Sequence, residues 1–269
     1  LANGPLEFLP WPAMKIKAKP IIETIPITYI SSFSHLIFSK EKRNLYNARL
    51  LNIGNSFETM EGLESSFSTI KNLNSRTKEI DAFPKLRRNF GLINIENRTV
   101  LNGRKLWDSY IGISDNPRRF DRWRPEELFE ESLPGHLIAL QNIRSDYERG
   151  NNLSPSVFLT EALTFAGFPG VLLNWTQNGS IAQKSLFKSF LKKVPSGNPS
   201  EALRFAQLET AKKFPDSLDW AGYRFYGFPG MDEDEKKEFA KTYFDTNVQK
   251  GLQTFKQKEW DSLIRYFEN

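Results

Sequence analysis

The sequence predicts an α/β fold, with a mostly parallel central sheet covered by helices on both faces. Three observations lead there. Short apolar runs at 50–53, 92–95, 137–143 and 171–174 are bounded by turn residues and are too short for helices. These runs are near-continuously apolar, as strands buried on both faces are. Stretches with helical spacing or helix caps stand between them, which is the alternation of a parallel sheet. The central run is Leu137-Ile138-Ala139-Leu140-Gln141-Asn142-Ile143-Arg144, behind Pro134-Gly135-His136, and it turns polar at its end. In open sheets of this type function collects just beyond the carboxyl ends of the strands. Chemistry is therefore sought first at Gln141 to Ser145, yet no Cys, acid or His stands there, and the one Ser lies past the strand.

The elements follow in order. Asn3 to Pro12 reads as a turn, a short strand and a second turn, with its two close prolines confining it to an edge. A strand is expected over 23–30, with Pro26 demoting it to an edge. Ser32 caps a short helix over 33–39. After the run ending at Gly54, Met60, Leu63, Phe67 and Ile70 recur at spacings of three and four, which predicts an amphipathic helix over 58–73. Asn102-Gly103 marks a tight turn. Residues 115–125 form an arginine-rich loop, and Pro125-Glu126-Glu127 opens a helix to about 131. Ser154 with Pro155 starts a helix to about 165, closed by Gly167. A helix is expected over 181–191. Asn198-Pro199-Ser200-Glu201 caps another that runs to about 214. The aromatic stretch 220–228 reads as a last strand, with its core at 221–226, closed by Pro229-Gly230. Beyond it, Phe239, Tyr243, Phe244, Val248, Leu252 and Phe255 give one apolar helical face, and a further helix is expected around Trp260 and Phe267.

Composition narrows the function. The chain is 39% hydrophobic and 13% aromatic, enough for a sizeable core, and no apolar run approaches membrane-spanning length. The net charge of +5, from 37 basic against 32 acidic residues, is too mild and dispersed to point to a nucleic acid. With no cysteine, disulfides, thiolate metal sites and a cysteine nucleophile are all excluded. The chain opens at Leu1 without a signal peptide, so a piece of a longer protein is expected, with the cytoplasm the favoured compartment.

Several stretches together resemble the caspase-like CHAT domain, a family that usually follows TPR repeats in bacterial proteins. Gly4-Pro5-Leu6 with Leu9-Pro10 is similar to its opening strand, and Tyr29-Ile30-Ser31-Ser32 to its "Y-x-P-S" segment. Ile53-Gly54-Asn55 and the stretch containing Glu64 resemble the next strand and helix. Gly170 to Trp175 resembles its glycine-led strand ending in tryptophan. Glu201-Ala202-Leu203-Arg204-Phe205-Ala206-Gln207 resembles its "E-A-L-R-x-A-Q" helix, and Trp220 to Gly227 its "W-A-x-F-x-x-x-G" strand. The last two carry most of the specificity. The resemblance implies a three-layer caspase-like domain over 1–230, with a C-terminal helical extension at 231–269 packed on it.

Active members of that family resemble cysteine peptidases with a His–Cys dyad, one residue at the end of each of two neighbouring strands. Laid on this sequence, "L-H-x-A-x-H-G" puts Asn94 at its first His, Arg98 at the catalytic His and Thr99 at the Gly. "L-S-A-C" puts Ile143 at the nucleophile. Isoleucine has no proton to lose and no lone pair, and arginine stays protonated, so both positions are degenerate. The expectation is a catalytically inactive pseudo-peptidase that binds or regulates another protein, such as its own N-terminal TPR region. No membrane, cofactor or metal is expected, and the oligomeric state is open. The partner-binding candidates are Arg118, Arg119, Arg122, Trp123 and Arg124, since arginine with tryptophan suits a protein surface. A second reading is a hydrolase with a rebuilt site near Arg98, Ser145 and Asp146. A third is nucleic-acid binding through the 118–124 loop, which nearby Asp115, Asp121, Glu126 and Glu127 disfavour. The two histidines, His35 and His136, are expected in packing roles.

Overall fold

Eight strands share one sheet: β3 (Arg49–Gly54), β4 (Thr69–Asn74), β5 (Leu92–Asn102), β6 (Tyr110–Gly112), β7 (Arg122–Trp123), β8 (Leu137–Asp146), β9 (Gly170–Asn174) and β10 (Tyr223–Gly227). A separate pair, β1 (Lys15–Ile16) and β2 (Lys19–Pro20), is antiparallel. The computed structural model describes residues 9–16, 19–32, 35, 37, 49–54, 60–115, 121–146, 154–176, 179–196 and 198–228. Most of the opening segment at 3–12, and the helices expected beyond 231, lie outside the described residues.

The main path runs β10-β9-β8-β5-β3-β4. Its four inner pairings are parallel, and only β10 runs antiparallel to β9. The apolar runs explain this arrangement. Leu50, Leu51, Ile53, Leu92, Ile93, Ile95, Leu137 to Leu140 and Val171 to Leu173 have no accessible surface. Successive side chains alternate between faces, so these strands need a cover on both. On one face, Leu51, Ile53, Ile93, Ile95, Ile138, Leu140, Val171 and Leu173 cluster with Leu159, Ala162, Leu163 and Ala166 of α4 (Pro155–Ala166). Phe83 of α2 (Phe83–Leu86) and Leu128 of α3 (Pro125–Glu130) join that cluster. On the other face, Leu50, Leu92, Leu137, Ala139 and Leu172 cluster with residues of α5 (Ile181–Lys193) and α6 (Pro199–Lys213). Fully burying one such side chain contributes about 1.5–3 kcal/mol.

The caps fall mostly where the residue types direct them. Ser180 Oγ accepts from the Gln183 backbone N–H, and Asn198 Oδ1 accepts from that of Ser200. Ser154 starts α4 without such a bond, because its hydroxyl lies 2.7 Å from that of Ser156. Gly167 ends α4 at φ 118°, where a side chain would also strike the Leu133 carbonyl.

Three expected elements differ. The stretch 58–73 is not one helix: Met60, Leu63 and Phe67 sit in successive turns that still pack against the α5–α6 side of the sheet, and β4 begins at Thr69. Thr69 and Ile70 are β-branched, and parallel pairing along β3 outweighs the helical spacing. The stretch 23–30 is not a strand. It holds the short helix α1 (Ile21–Thr24) and a single bridge from Tyr29 to Tyr226. The Arg204 guanidinium donates to the Ile22 and Glu23 carbonyls at 2.9 Å each, satisfying acceptors at the helix end. The last strand starts at Tyr223, because Asp219–Gly222 forms a 3-10 turn.

Candidate functional site

Strands β5 and β8 outrun their neighbours. Pairing of β3 with β5 stops at Ile95, and pairing of β8 with β9 stops at Leu140, but β5 and β8 continue together to Asn102 and Asp146. Their register shifts between Ile95 and Arg98, where β5 carries two residues against the single Gln141. The carboxyl halves thus form a tongue, extended on one side by β6 and β7.

Arg98 and Ile143 both lie on this tongue, on adjacent strands. The register pairs Arg98 with Asn142 and Thr99 with Ile143, so the two are one step apart and point to opposite faces. Arg98 is exposed, whereas Ile143 is 7% exposed and packs with the α4-side cluster. Nothing in that pair can activate a nucleophile. Ser145 pairs with Leu101, three steps beyond Arg98, which is on the order of 10 Å along the strand. Among the described residues its hydroxyl has no hydrogen-bond partner, hence no base. Asp146 ends β8.

The histidines are far from the tongue and buried. His136 precedes β8, at the opposite end from Ser145, and its backbone N–H donates to Gly91 O at 2.7 Å. Burial lowers its pKa to about 4. His35 has Ser31 Oγ 2.7 Å from its Nδ1 and its backbone N–H donates to Ser32 Oγ at 3.0 Å, while most of the helix expected over 33–39 lies outside the described residues. Burial likewise lowers its pKa to about 4, against the opposing effect of the Pro169 backbone.

The arginine-rich stretch is only partly a surface. Arg118 and Arg119 lie outside the described residues. Arg122 is exposed in β7 with its guanidinium 4.3 Å from the Tyr110 ring centre, and Arg124 is exposed before α3, its N–H donating to Glu127 Oε2 at 3.0 Å. Trp123 is a correction: it is 2% exposed, edge-on to Phe83 at 5.5 Å and under the Arg87 guanidinium at 5.1 Å, so it packs in the core and not on an exposed loop. The cleft beside it, about 650 Å³, mixes Arg87, Arg88 and Arg122 with Asp81, Asp121, Glu127, Glu130 and Glu131. Arg87 is ion-paired to Glu131. The carboxylates of the cleft outnumber its arginines, five to three.

Two polar features were missed from the sequence. The first is a ladder on the α5–α6 side of the sheet. Asn94 Nδ2 donates to Asn52 Oδ1 at 2.6 Å, Gln141 Nε2 donates to Asn94 Oδ1 at 3.1 Å, and Tyr223 OH donates to Gln141 Oε1 at 2.9 Å. Asn174 Nδ2 donates to the Gln141 carbonyl at 3.0 Å. All five residues are buried. Burial, with Glu96 and Asp219 nearby, pushes the Tyr223 phenol far up, so it stays a donor. A signal did exist: Leu50-Leu51-Asn52-Ile53 and Leu92-Ile93-Asn94-Ile95 place the same amide at the same point, and the register pairs them. The second feature is Arg224 on β10. It is 4% exposed, with its guanidinium 5.1 Å from the Trp175 ring centre and 5.6 Å from that of Tyr29. Its Nε and Nη1 are buried without a hydrogen-bond partner. Among the described residues no group of three or more His, Asp or Glu converges as metal ligands would, and no helix is long and apolar enough to cross a membrane.

This sheet order can be set against solved structures. Two structures of the Saccharomyces cerevisiae separase–securin complex, at 3.0 and 2.6 Å, resemble the chain with TM-scores of 0.54 and 0.51 at 13% and 12% identity. The fold is caspase-like. Each likeness covers 83% of this chain but 15% of the chain it resembles, so the caspase-like region here matches a small part of a much longer protein. No protein-family model and no curated protein matches the sequence. On the caspase-like frame, β5 and β8 are the adjacent central strands on which Arg98 and Ile143 fall.

Proposed function

We propose that this chain is a catalytically inactive caspase-like domain of the CHAT type that binds a protein partner. The observation that carries this reading is the composition of the tongue: a chain without cysteine has an exposed arginine and a buried isoleucine where the resemblance lays the dyad. Covalent peptide cleavage needs a nucleophile beside a base, and neither stands there. The CHAT assignment draws further support from its two most specific motifs, which fall on α6 and on the turn and strand ending at Gly227. Separase in the two similar structures is in complex with securin, which supports a protein partner for this chain as well. The partner named first is the TPR region expected to precede the domain.

The test is turnover. The purified chain incubated with a peptide library should cleave nothing across the pH range in which it stays folded. The double change Arg98→His with Ile143→Cys should also restore nothing, because residues one step out of register face opposite sides of the sheet. Cleavage that follows the protein through purification and disappears in Ser145→Ala would establish the rebuilt site in its place.

A further inference from the structure

Arg224 stands out among the buried polar groups because its charge is permanent and no anion among the described residues answers it. An arginine cannot shed its proton to suit a buried site, so the usual remedy is a carboxylate. Among the described residues no carboxylate pairs with Arg224, and no hydrogen bond takes up its Nε or Nη1. The rings of Trp175 and Tyr29 attract the cation but leave its in-plane N–H donors unused. Both rings are themselves only partly buried. Arg224 pairs with Leu173 near the carboxyl end of β9, at the sheet edge where ligands collect in folds of this type.

We propose that Arg224, between Tyr29 and Trp175, is a carboxylate-binding site that receives an acidic side chain of a partner protein. The proposal rests on the protein-binding reading above and names the chemistry of the partner. A planar guanidinium fork matches a carboxylate with two parallel bonds, whereas a phosphate dianion would keep half its charge unanswered by one arginine. A peptide is favoured over a free acid by what adjoins the site. Tyr29 also lines an apolar groove of about 210 Å³ with Trp11, Ile27, Ile30, Val157 and Tyr226. That groove is small for a drug-sized ligand, but it can take an apolar side chain next to the acidic one.

The test titrates the 269-residue chain with a capped peptide holding one glutamate beside a leucine, its glutamine counterpart, sodium acetate and sodium phosphate. Calorimetry gives affinity, and the Nε–H resonance of Arg224 reports the site. The glutamate peptide should bind about ten-fold or more tightly than the glutamine one, and shift that resonance. Arg224→Met should erase the difference and raise the melting temperature, since it removes an unanswered buried charge. Arg224→Lys, which keeps the charge without the fork, should bind in between. Equal binding of the two peptides, or of neither, would overturn the site, as would a melting temperature lowered in Arg224→Met. Acetate binding as tightly as the peptide would overturn the peptide source, and a preference for phosphate would overturn the carboxylate. A peptidase assay on the same preparation separates the two readings: turnover would overturn the inactive domain alone, while failed carboxylate binding would overturn the site alone.

Discussion

The ladder Asn52–Asn94–Gln141–Tyr223 and the cation Arg224 lie on opposite faces of one sheet, and both are buried. In the ladder, the donors of Tyr223, Gln141 and Asn94 each meet the acceptor of the next side chain, only Asn52 Nδ2 at its end lacks a partner among the described residues, and all four groups are neutral. Such a network ties β3, β5, β8 and β10 together at little electrostatic cost and rigidifies the site. Arg224 has rings for company and, among the described residues, no acceptor for its Nε or Nη1. Other buried donors also lack partners, but an unanswered buried cation costs more than a neutral donor such as Asn52 Nδ2 left alone. On the proposal above, the ladder is architecture and the cation is function.

That contrast can be broken most forcefully at Gln141, which joins two of the ladder's bonds. Gln141→Leu strands Asn94 and Tyr223 in the interior and should cost roughly 3–4 kcal/mol, read from the denaturant midpoint. A cost near zero would mean the ladder is decorative.

Acid supplies an intermediate case, buried groups that become charged only on demand. His35 and His136 have pKa values lowered to about 4 from an ordinary 6.5. Above pH 6.5 neither folded nor unfolded chain protonates them. As pH falls from 6.5 toward 4 only the unfolded chain takes up the protons, so stability is lost across that window. At pH 5 the loss should be about 2 kcal/mol for each histidine. Thermal melts of the chain and of His136→Gln between pH 7 and 4.5 would reveal it, with the variant showing the shallower decline. The smallest expected effect is at the ladder's end. Tyr223→Phe removes one donor and leaves Gln141 Oε1 unanswered, for about 1–2 kcal/mol. If Gln141→Leu and Tyr223→Phe combined cost no more than Gln141→Leu alone, the ladder acts as one unit.

Much of the frame was readable in the chain itself. The runs around Leu50, Leu92, Leu137 and Val171 are strands, and the caps at Ser180 and Asn198 hold their helices, because consecutive residues carry that information. The spacing of Met60, Leu63 and Phe67 misled because turns packed on a sheet repeat every three or four residues as a helix does. Trp123 read as a surface residue beside its arginines, and only packing against Phe83 and Arg87 shows it to be core.

The sequence by itself determined the α/β class, the lack of any thiol and the identities of Arg98 and Ile143. Tertiary structure alone decided that Arg98 and Ile143 face opposite sides, that amides 42 and 47 residues apart bond into a ladder closed by a tyrosine 82 residues from Gln141, and that Arg224 meets no anion among the described residues. The reason is one of range. Propensity and periodicity act among near neighbours in the chain, whereas register and charge pairing are settled between strands that meet only once the sheet has formed.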